Sequence, residues 1–526
     1  MKKITFISLI AVFISGAITL RAQEVITPLD VAKIQTVVEA IISTDGRFVA
    51  YTVTVPADPL KENKPSKREL YLYNVSTGKT LPYVTQGSVL SIAFRPGNFA
   101  SITFLSKREG DQGVSLYEIS LSGGESKKIY SAETSISGYH WSADGKKLAY
   151  IASEKKKSTK TESSLPYQPE VYEENLSRSL AHVYDTEKDV TDVIPLDGHT
   201  TEVAWSSDGS RLALLNAPSS LVDDKYMKQT IMIVQVSPFK WIGKVDHQGK
   251  MGKIAWSPDS KNIAFIAGED IHDPEAGRLF IVGSEGGAPK NLKSDYAGSF
   301  DDFQWVDPKT LGFVSSVGVG AAYGTITGTG KAPVITFSTS ELALHGLSLA
   351  SDGAVVFVAD SPRHPGEVYM LKKGEKSPAR VTTHNTWLSD KKMARQEVIK
   401  YKAKDGLEIE GILIHPLNEQ QGQRYPLITV VHGGPESHID NGWLTGYSTP
   451  GQMAAAKGYA VFYPNYRGST GRGAVFAKTS QGDLAGKEFD DIVDGVDYLV
   501  NSGLVDTKKV GVTGGSYGGY ATGWMS

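Results

Sequence analysis

The chain has 526 residues, 55 Lys and Arg against 58 Asp and Glu, a formal net charge of −3 and no cysteine. That length calls for two to four domains, or one large domain with an insert, and the charge balance gives no electrostatic reason for a nucleic-acid partner. Without cysteine there are no disulfides, no Cys-ligated zinc, no Cys nucleophile and no lipidated N-terminal Cys.

At the N-terminus, Lys2 and Lys3 precede an apolar run from Ile4 to Leu20, followed by Arg21-Ala22-Gln23. This predicts a secretory signal over residues 1–22, cleaved after Ala22, with an uncleaved membrane anchor as the alternative. Both readings export the rest of the chain. No later segment approaches the ~18–20 apolar residues a span needs, so no stable membrane insertion is expected after cleavage.

Internal repetition sets the architecture of the next 350 or so residues. Trp141-Ser142-Ala143-Asp144-Gly145, Trp205-Ser206-Ser207-Asp208-Gly209 and Trp256-Ser257-Pro258-Asp259-Ser260 are each followed by alternating apolar residues. Weaker copies start at Ile42, Phe94, Trp305 and Leu349, so successive starts lie 44 to 64 residues apart. Each copy reads as a strand, a hairpin turn and a second strand. Periods of this size predict β-propeller blades: seven over residues 26–381, with eight blades or a β-sandwich as alternatives. The longest step contains an insert, Lys155–Asp185, read as a long loop or extra strand at a blade edge.

Residues 382–395 are polar, carry no repeat and are read as a linker. From Gln396 the pattern becomes α/β. Alternating residues flank the Asp405-Gly406 turn, and nearly continuous apolar strands follow at Tyr425–Val431, Tyr459–Tyr463 and Lys509–Thr513. Between the last two, Phe489, Ile492, Val493, Val496, Leu499 and Val500 recur at helical spacing. Asp490, Asp491, Asp494 and Asp497 are placed on the opposite face of that helix.

The last strand runs into Gly514-Gly515-Ser516-Tyr517-Gly518. Gly-x-Ser-x-Gly is a weak signal alone but gains meaning between a buried strand and a helix, where a sharp turn presents the serine hydroxyl. Ser516 is therefore the candidate catalytic nucleophile. His432-Gly433-Gly434-Pro435 ends an earlier strand, and a backbone N–H can reach a substrate where no Cβ intervenes. The N–H groups of Gly433 and Tyr517 are the candidate oxyanion hole, and His432 itself reads as a structural histidine. Nothing in the sequence calls for a cofactor or a metal.

The segments Val431–Pro435, Pro464-Asn465-Tyr466-Arg467-Gly468-Ser469-Thr470-Gly471 and Gly515–Tyr520, in that order, resemble the prolyl oligopeptidase family of serine peptidases, in its acylaminoacyl-peptidase and dipeptidyl-peptidase branch. The resemblance implies an N-terminal propeller followed by an α/β-hydrolase domain over 396–526. It also implies short peptide substrates reached between the two domains, Ser516 as nucleophile, the Gly433 and Tyr517 N–H groups as oxyanion donors, and a periplasmic or secreted bacterial protein. The oligomeric state stays open.

In α/β-hydrolases the acid and the histidine follow the serine in the chain, and Tyr517–Ser526 holds no Asp, Glu or His. The expectation is a C-terminally truncated family member, with the N-terminal part of the hydrolase fold and no activity as it stands. His415, His432 and His438 are the upstream histidines that could substitute, and their motifs assign them elsewhere. Two alternatives remain: a propeller binding module with a remnant hydrolase part, and an esterase-like acyl hydrolase. Glu173-Glu174 resembles the acidic pair with which dipeptidyl peptidases hold a free amino terminus. A solvated acidic turn is the preferred reading, so the pair is left out of the site.

Overall fold

A computed structural model describes residues 24–97, 99–155, 171–174 and 176–526. The expected signal over residues 1–22 and most of the blade insert lie outside these residues. No helix among the described residues is long and apolar enough to cross a membrane.

Seven four-stranded antiparallel sheets follow one another, at residues 36–84, 90–130, 136–193, 199–244, 251–291, 299–339 and 343–380. They form a seven-bladed propeller, here blades 1 to 7. Each sheet is built from four consecutive strands, so no blade mixes strands from the two ends of the ring. The ring closes by packing instead. Val37, Val49 and Tyr51 of blade 1 share a core with Val356, Val368 and Met370 of blade 7, and the Ile42 N–H donates to Ser348 Oγ at 3.0 Å. Ser179–Asp185 is the third strand of blade 3, so the insert is shorter than the sequence reading placed it.

The repeated motif has a local cause. The Ser142 hydroxyl donates to Asp144 Oδ1 at 2.6 Å, Asp144 Oδ1 accepts the Lys146 N–H at 3.0 Å, and Ser142 Oγ accepts the Lys147 N–H at 2.9 Å. Ser206–Asp208 and Ser257–Asp259 repeat the same three bonds. Serine and aspartate thus satisfy the turn's backbone donors from their own side chains. The tryptophan joins neighbouring blades. The indole N–H groups of Trp141, Trp256 and Trp305 donate to Thr103, Ala204 and Ala255 of the preceding blade.

A small clasp follows the last blade, since Glu24–Val25 pairs in parallel with Lys391–Lys392. Beyond it lies a five-stranded mixed sheet. Its strands, numbered within this part, are β1 (Gln396–Lys402), β2 (Glu408–Ile414), β3 (Tyr425–Val431), β4 (Ala460–Asn465) and β5 (Val505–Gly514), in the order β1-β2-β4-β3-β5. β4 and β5 run parallel to β3. The helices are α1 (Gly451–Ala455), α2 (Gly473–Ala477), α3 (Lys487–Asn501) and α4 (Tyr517–Met525). Val431, Tyr466, Phe489, Ile492 and Ala521 join β3, α3 and α4 into one core.

α3 corrects the sequence reading on one point. Asp491 and Asp494 are buried, whereas Val493 is exposed. Asp491 is buried because it receives a bidentate contact from Arg467, Nε to Oδ2 at 2.8 Å and Nη2 to Oδ1 at 2.7 Å. Asp494 Oδ2 accepts the Lys404 N–H at 2.8 Å. The charges lie on the buried side because they tie the helix to neighbouring loops.

The two domains meet along the loop that follows β3. The Asn441 side chain donates to Ser340 O at 2.7 Å, and the Trp443 N–H to Asp360 Oδ1 at 2.6 Å. On the other side, Lys478 Nζ lies 2.9 Å from Asp270 and 2.8 Å from Glu275 of blade 5.

Candidate active site

Ser516 sits on the turn between β5 and α4 with φ 53° and ψ −123°, a left-handed conformation that a non-glycine residue adopts only under constraint. The flanking glycines supply the constraint. A Cβ at Gly518 would fall 2.1 Å from the Val431 carbonyl oxygen, and one at Gly514 would fall 2.5 Å from the same atom. The elbow is pressed against the end of β3, and only glycine fits at both contacts. Gly515 has nothing within 4 Å of a Cβ and is not required in this way.

The same contact brings the loop after β3 to the serine. A Cβ at Gly433 would stand 3.2 Å from Ser516 Cβ and 3.1 Å from Gly515 O, so bare backbone faces the serine. Gly518, Gly519 and Tyr520 donate their N–H groups to Gly515 O and Ser516 O. Tyr517, the first residue of α4, does not donate its N–H to any described residue, nor does Gly433. Two free donors therefore flank the serine, one of them at a helix N-terminus, where the dipole favours developing negative charge. The Tyr517 ring is held away from them: its hydroxyl donates to buried Glu488 at 2.6 Å.

The upstream histidines are committed elsewhere. His432 is buried and stacks on Tyr466 with centroids 4.3 Å apart, and its nitrogens face Gly433 O at 2.8 Å and Ser469 Oγ at 2.9 Å. Burial pulls it down to about 4, so it is neutral and structural, as its motif suggested. His415 lies between Glu397 and Glu419 at 2.7 and 2.8 Å, and His438 between Thr470 and Asp440 at 2.7 and 2.9 Å. The Ser516 hydroxyl has no hydrogen-bond partner among the described residues, and no group of acids and histidines among them could hold a metal ion.

Residues 446–526 match the model of the prolyl oligopeptidase family. The C-terminal part of the chain is thus similar to that family. The chain is 26% identical over 542 residues to the uncharacterized peptidase YuxL of Bacillus subtilis, covering 96% of this chain and 80% of that one. It is 27% identical over 290 residues to dipeptidyl-peptidase 5 of Porphyromonas gingivalis, covering 53% of this chain and 41% of the relative. Among solved structures, an acylaminoacyl peptidase of Pyrococcus horikoshii superposes with a TM-score of 0.74 at 19% identity, over 94% of this chain and 75% of that one. That likeness carries the fold, a propeller joined to an α/β-hydrolase domain.

Glu173 is used structurally. Its Oε1 accepts the Val222 N–H at 3.0 Å, at the start of the short helix Val222–Met227. The sequence reading did not find the residues that join the two parts of the chain, Lys250 and Glu275 with Glu436. They lie far apart in the chain and share no motif, so no local signal marks them.

Proposed function

We propose that the chain is organised as a propeller over 26–381, a linker over 382–395 and a catalytic domain over 396–526, and that Ser516 is the nucleophile of a serine peptidase acting on short peptides. The N–H groups of Gly433 and Tyr517 hold the oxyanion of the tetrahedral intermediate, and the reaction passes through an acyl-enzyme on Ser516 Oγ. The observation that carries this reading is the strained serine at an elbow pressed on β3, with two unengaged N–H groups beside it. Support for peptides over lipids comes from the propeller and from relatives named as peptidases. Residues 1–22 carry export in this reading.

A serine hydroxyl at neutral pH needs a base to take its proton. None of the three upstream histidines bonds to Ser516, so the described residues supply an elbow and an oxyanion hole with no base hydrogen-bonded to the serine. The test is acyl transfer from peptidyl p-nitrophenyl esters with imidazole added as an external base, the acylated residue being mapped by mass spectrometry. Acylation at Ser516, faster for peptidyl than for fatty acyl groups of equal length, is the expected result. Acylation elsewhere would remove Ser516 from its role, and a preference for fatty acyl groups would make the protein an esterase.

A further inference from the structure

A cavity of about 480 Å³ opens between blades 4 and 5 and the loop after β3, lined in part by Lys225, Tyr226, Lys250, Met251, Glu275 and Glu436. This volume is in the range that small ligands and peptide side chains occupy. Glu436 is three residues beyond Gly433, so chain reach places this wall within about 11 Å of the Gly433 backbone, and Gly433 faces Ser516. A peptide of three or four extended residues covers that distance.

The charges in the walls are matched, with one exception. Lys250 Nζ lies 2.6 Å from Asp273 and 2.9 Å from Glu436. Glu436 Oε2 also accepts the Glu275 N–H at 2.9 Å, and the Glu275 carboxylate lies 2.8 Å from Lys478 Nζ. Lys225 has no ion pair and no side-chain hydrogen bond among the described residues. Its helix is nevertheless fixed in place. Glu173 accepts the first N–H, and Asp224 holds both Ser219 and Lys228 at 2.6 and 2.7 Å. One residue on, Tyr226 is 57% exposed, with its ring centroid 5.8 Å from Lys250 Nζ. The wall thus presents one ammonium group with no ion pair among the described residues, an exposed aromatic ring and the apolar side chain of Met251.

We propose that this cavity holds the far end of a peptide substrate, with a carboxylate of the peptide against Lys225 and a neighbouring apolar side chain on Tyr226 and Met251. The proposal rests on the reading of Ser516 as nucleophile and deepens it. The substrate class becomes short peptides bearing a carboxylate three or four residues from the attacked bond. That carboxylate is either a free C-terminus or an Asp or Glu side chain. A hydrogen bond to a charged group in a partly enclosed site is strong enough that its loss weakens binding about tenfold or more.

The test is calorimetric titration of the Ser516→Ala chain, so that binding is read without chemistry. The probes are a hexapeptide of Ala and Leu as the free acid, the same peptide as its C-terminal amide, and the amide with Glu at the last position. The free acid is expected to bind at least tenfold more tightly than the plain amide. Lys225→Gln is expected to erase that difference and Lys225→Arg to keep it. Tight binding of the Glu amide as well assigns the site to any carboxylate; its absence assigns it to the free terminus. Equal affinity of acid and plain amide, unchanged affinity in Lys225→Gln, or no binding of any probe would overturn the proposal. None of these results depends on whether Ser516 reacts, so failure here leaves the nucleophile assignment to its own test.

Discussion

Gly518 and Val431 are in direct backbone contact: a Cβ on Gly518 would lie 2.1 Å from the Val431 carbonyl oxygen and 2.8 Å from its carbon. The position of Ser516 therefore depends on the end of β3 as much as on its own strand. Gly518→Ala should destabilise the hydrolase part by about 2–4 kcal/mol, because backbone rather than a flexible side chain must yield. Gly515→Ala meets open space and should cost less than about 1 kcal/mol. Urea denaturation of the two variants checks the contrast, and equal effects would contradict the contact.

The Arg467–Asp491 pair is expected to be the most sensitive ionic contact of this domain. Asp491 is fully buried and receives both Nε and Nη2 of Arg467. Arg467→Met strands a buried carboxylate and should cost about 3–5 kcal/mol. Asp491→Leu combined with Arg467→Met should recover much of that loss, since no buried charge is then left unpaired; Asp405, which also pairs with Arg467, is partly exposed and keeps Lys487 at 3.8 Å. Denaturant midpoints of the single and double variants test this. A double variant no more stable than the single would mean that the pair's geometry, not its charge balance, matters.

The propeller turns give a third prediction. Asp144 accepts both the Ser142 hydroxyl and the Lys146 N–H. Asp144→Ala should cost about 1–2 kcal/mol, and the equivalent changes at Asp208 and Asp259 should cost similar amounts. Thermal unfolding of the three variants reads the repeat energetically. A loss confined to one blade would mean that the turns are not equivalent.

The domain interface should loosen as pH rises from 6 to 8. Burial alone lowers His438, but the charge of Asp440 and its hydrogen bond, with Asp301 and Glu410 nearby, raise it on balance. His345 is raised in the same way by Asp360, Asp440 and Asp301 against its burial. Burial pushes Asp301 up to about 6, opposed by Ser316 and His438, so its share is lost mostly below pH 6 and the histidines carry the slope above it. Each group has a higher pKa folded than unfolded. Its contribution is complete below the unfolded pKa and is lost as pH rises through the folded one. Buried Glu39 and Glu202, pushed up to about 7, add a slope of the same sign within the propeller. Melting temperatures should therefore fall from pH 6 to 8, and the fall should be shallower in the His345→Gln, His438→Gln double variant. An unchanged slope would remove both histidines from the linkage.

The propeller was legible because its signal is local. Ser142 and Asp144 complete their turn within five residues, and Trp141 adds a contact one blade away. The elbow at Ser516 was legible for the same reason. The solvent face assigned to Asp491 was misread because Arg467, which draws it inward, lies 24 residues earlier on another loop. Lys250 and Glu436 were invisible at a separation of 186 residues. The sequence carries hairpins and elbows as adjacent letters, whereas the domain interface exists only once the chain has folded.

The central claim is that Ser516 is a formed but unactivated nucleophile. It is tested most directly by treating residues 23–526 with a fluorophosphonate probe, with and without imidazole, alongside Ser516→Ala. The account predicts no labelling in buffer alone, and labelling of Ser516 when imidazole supplies the missing base, absent from the alanine variant. Stoichiometric labelling of Ser516 without imidazole would mean that a base is present among these residues. No labelling of Ser516 under either condition would mean that the elbow does not carry the nucleophile.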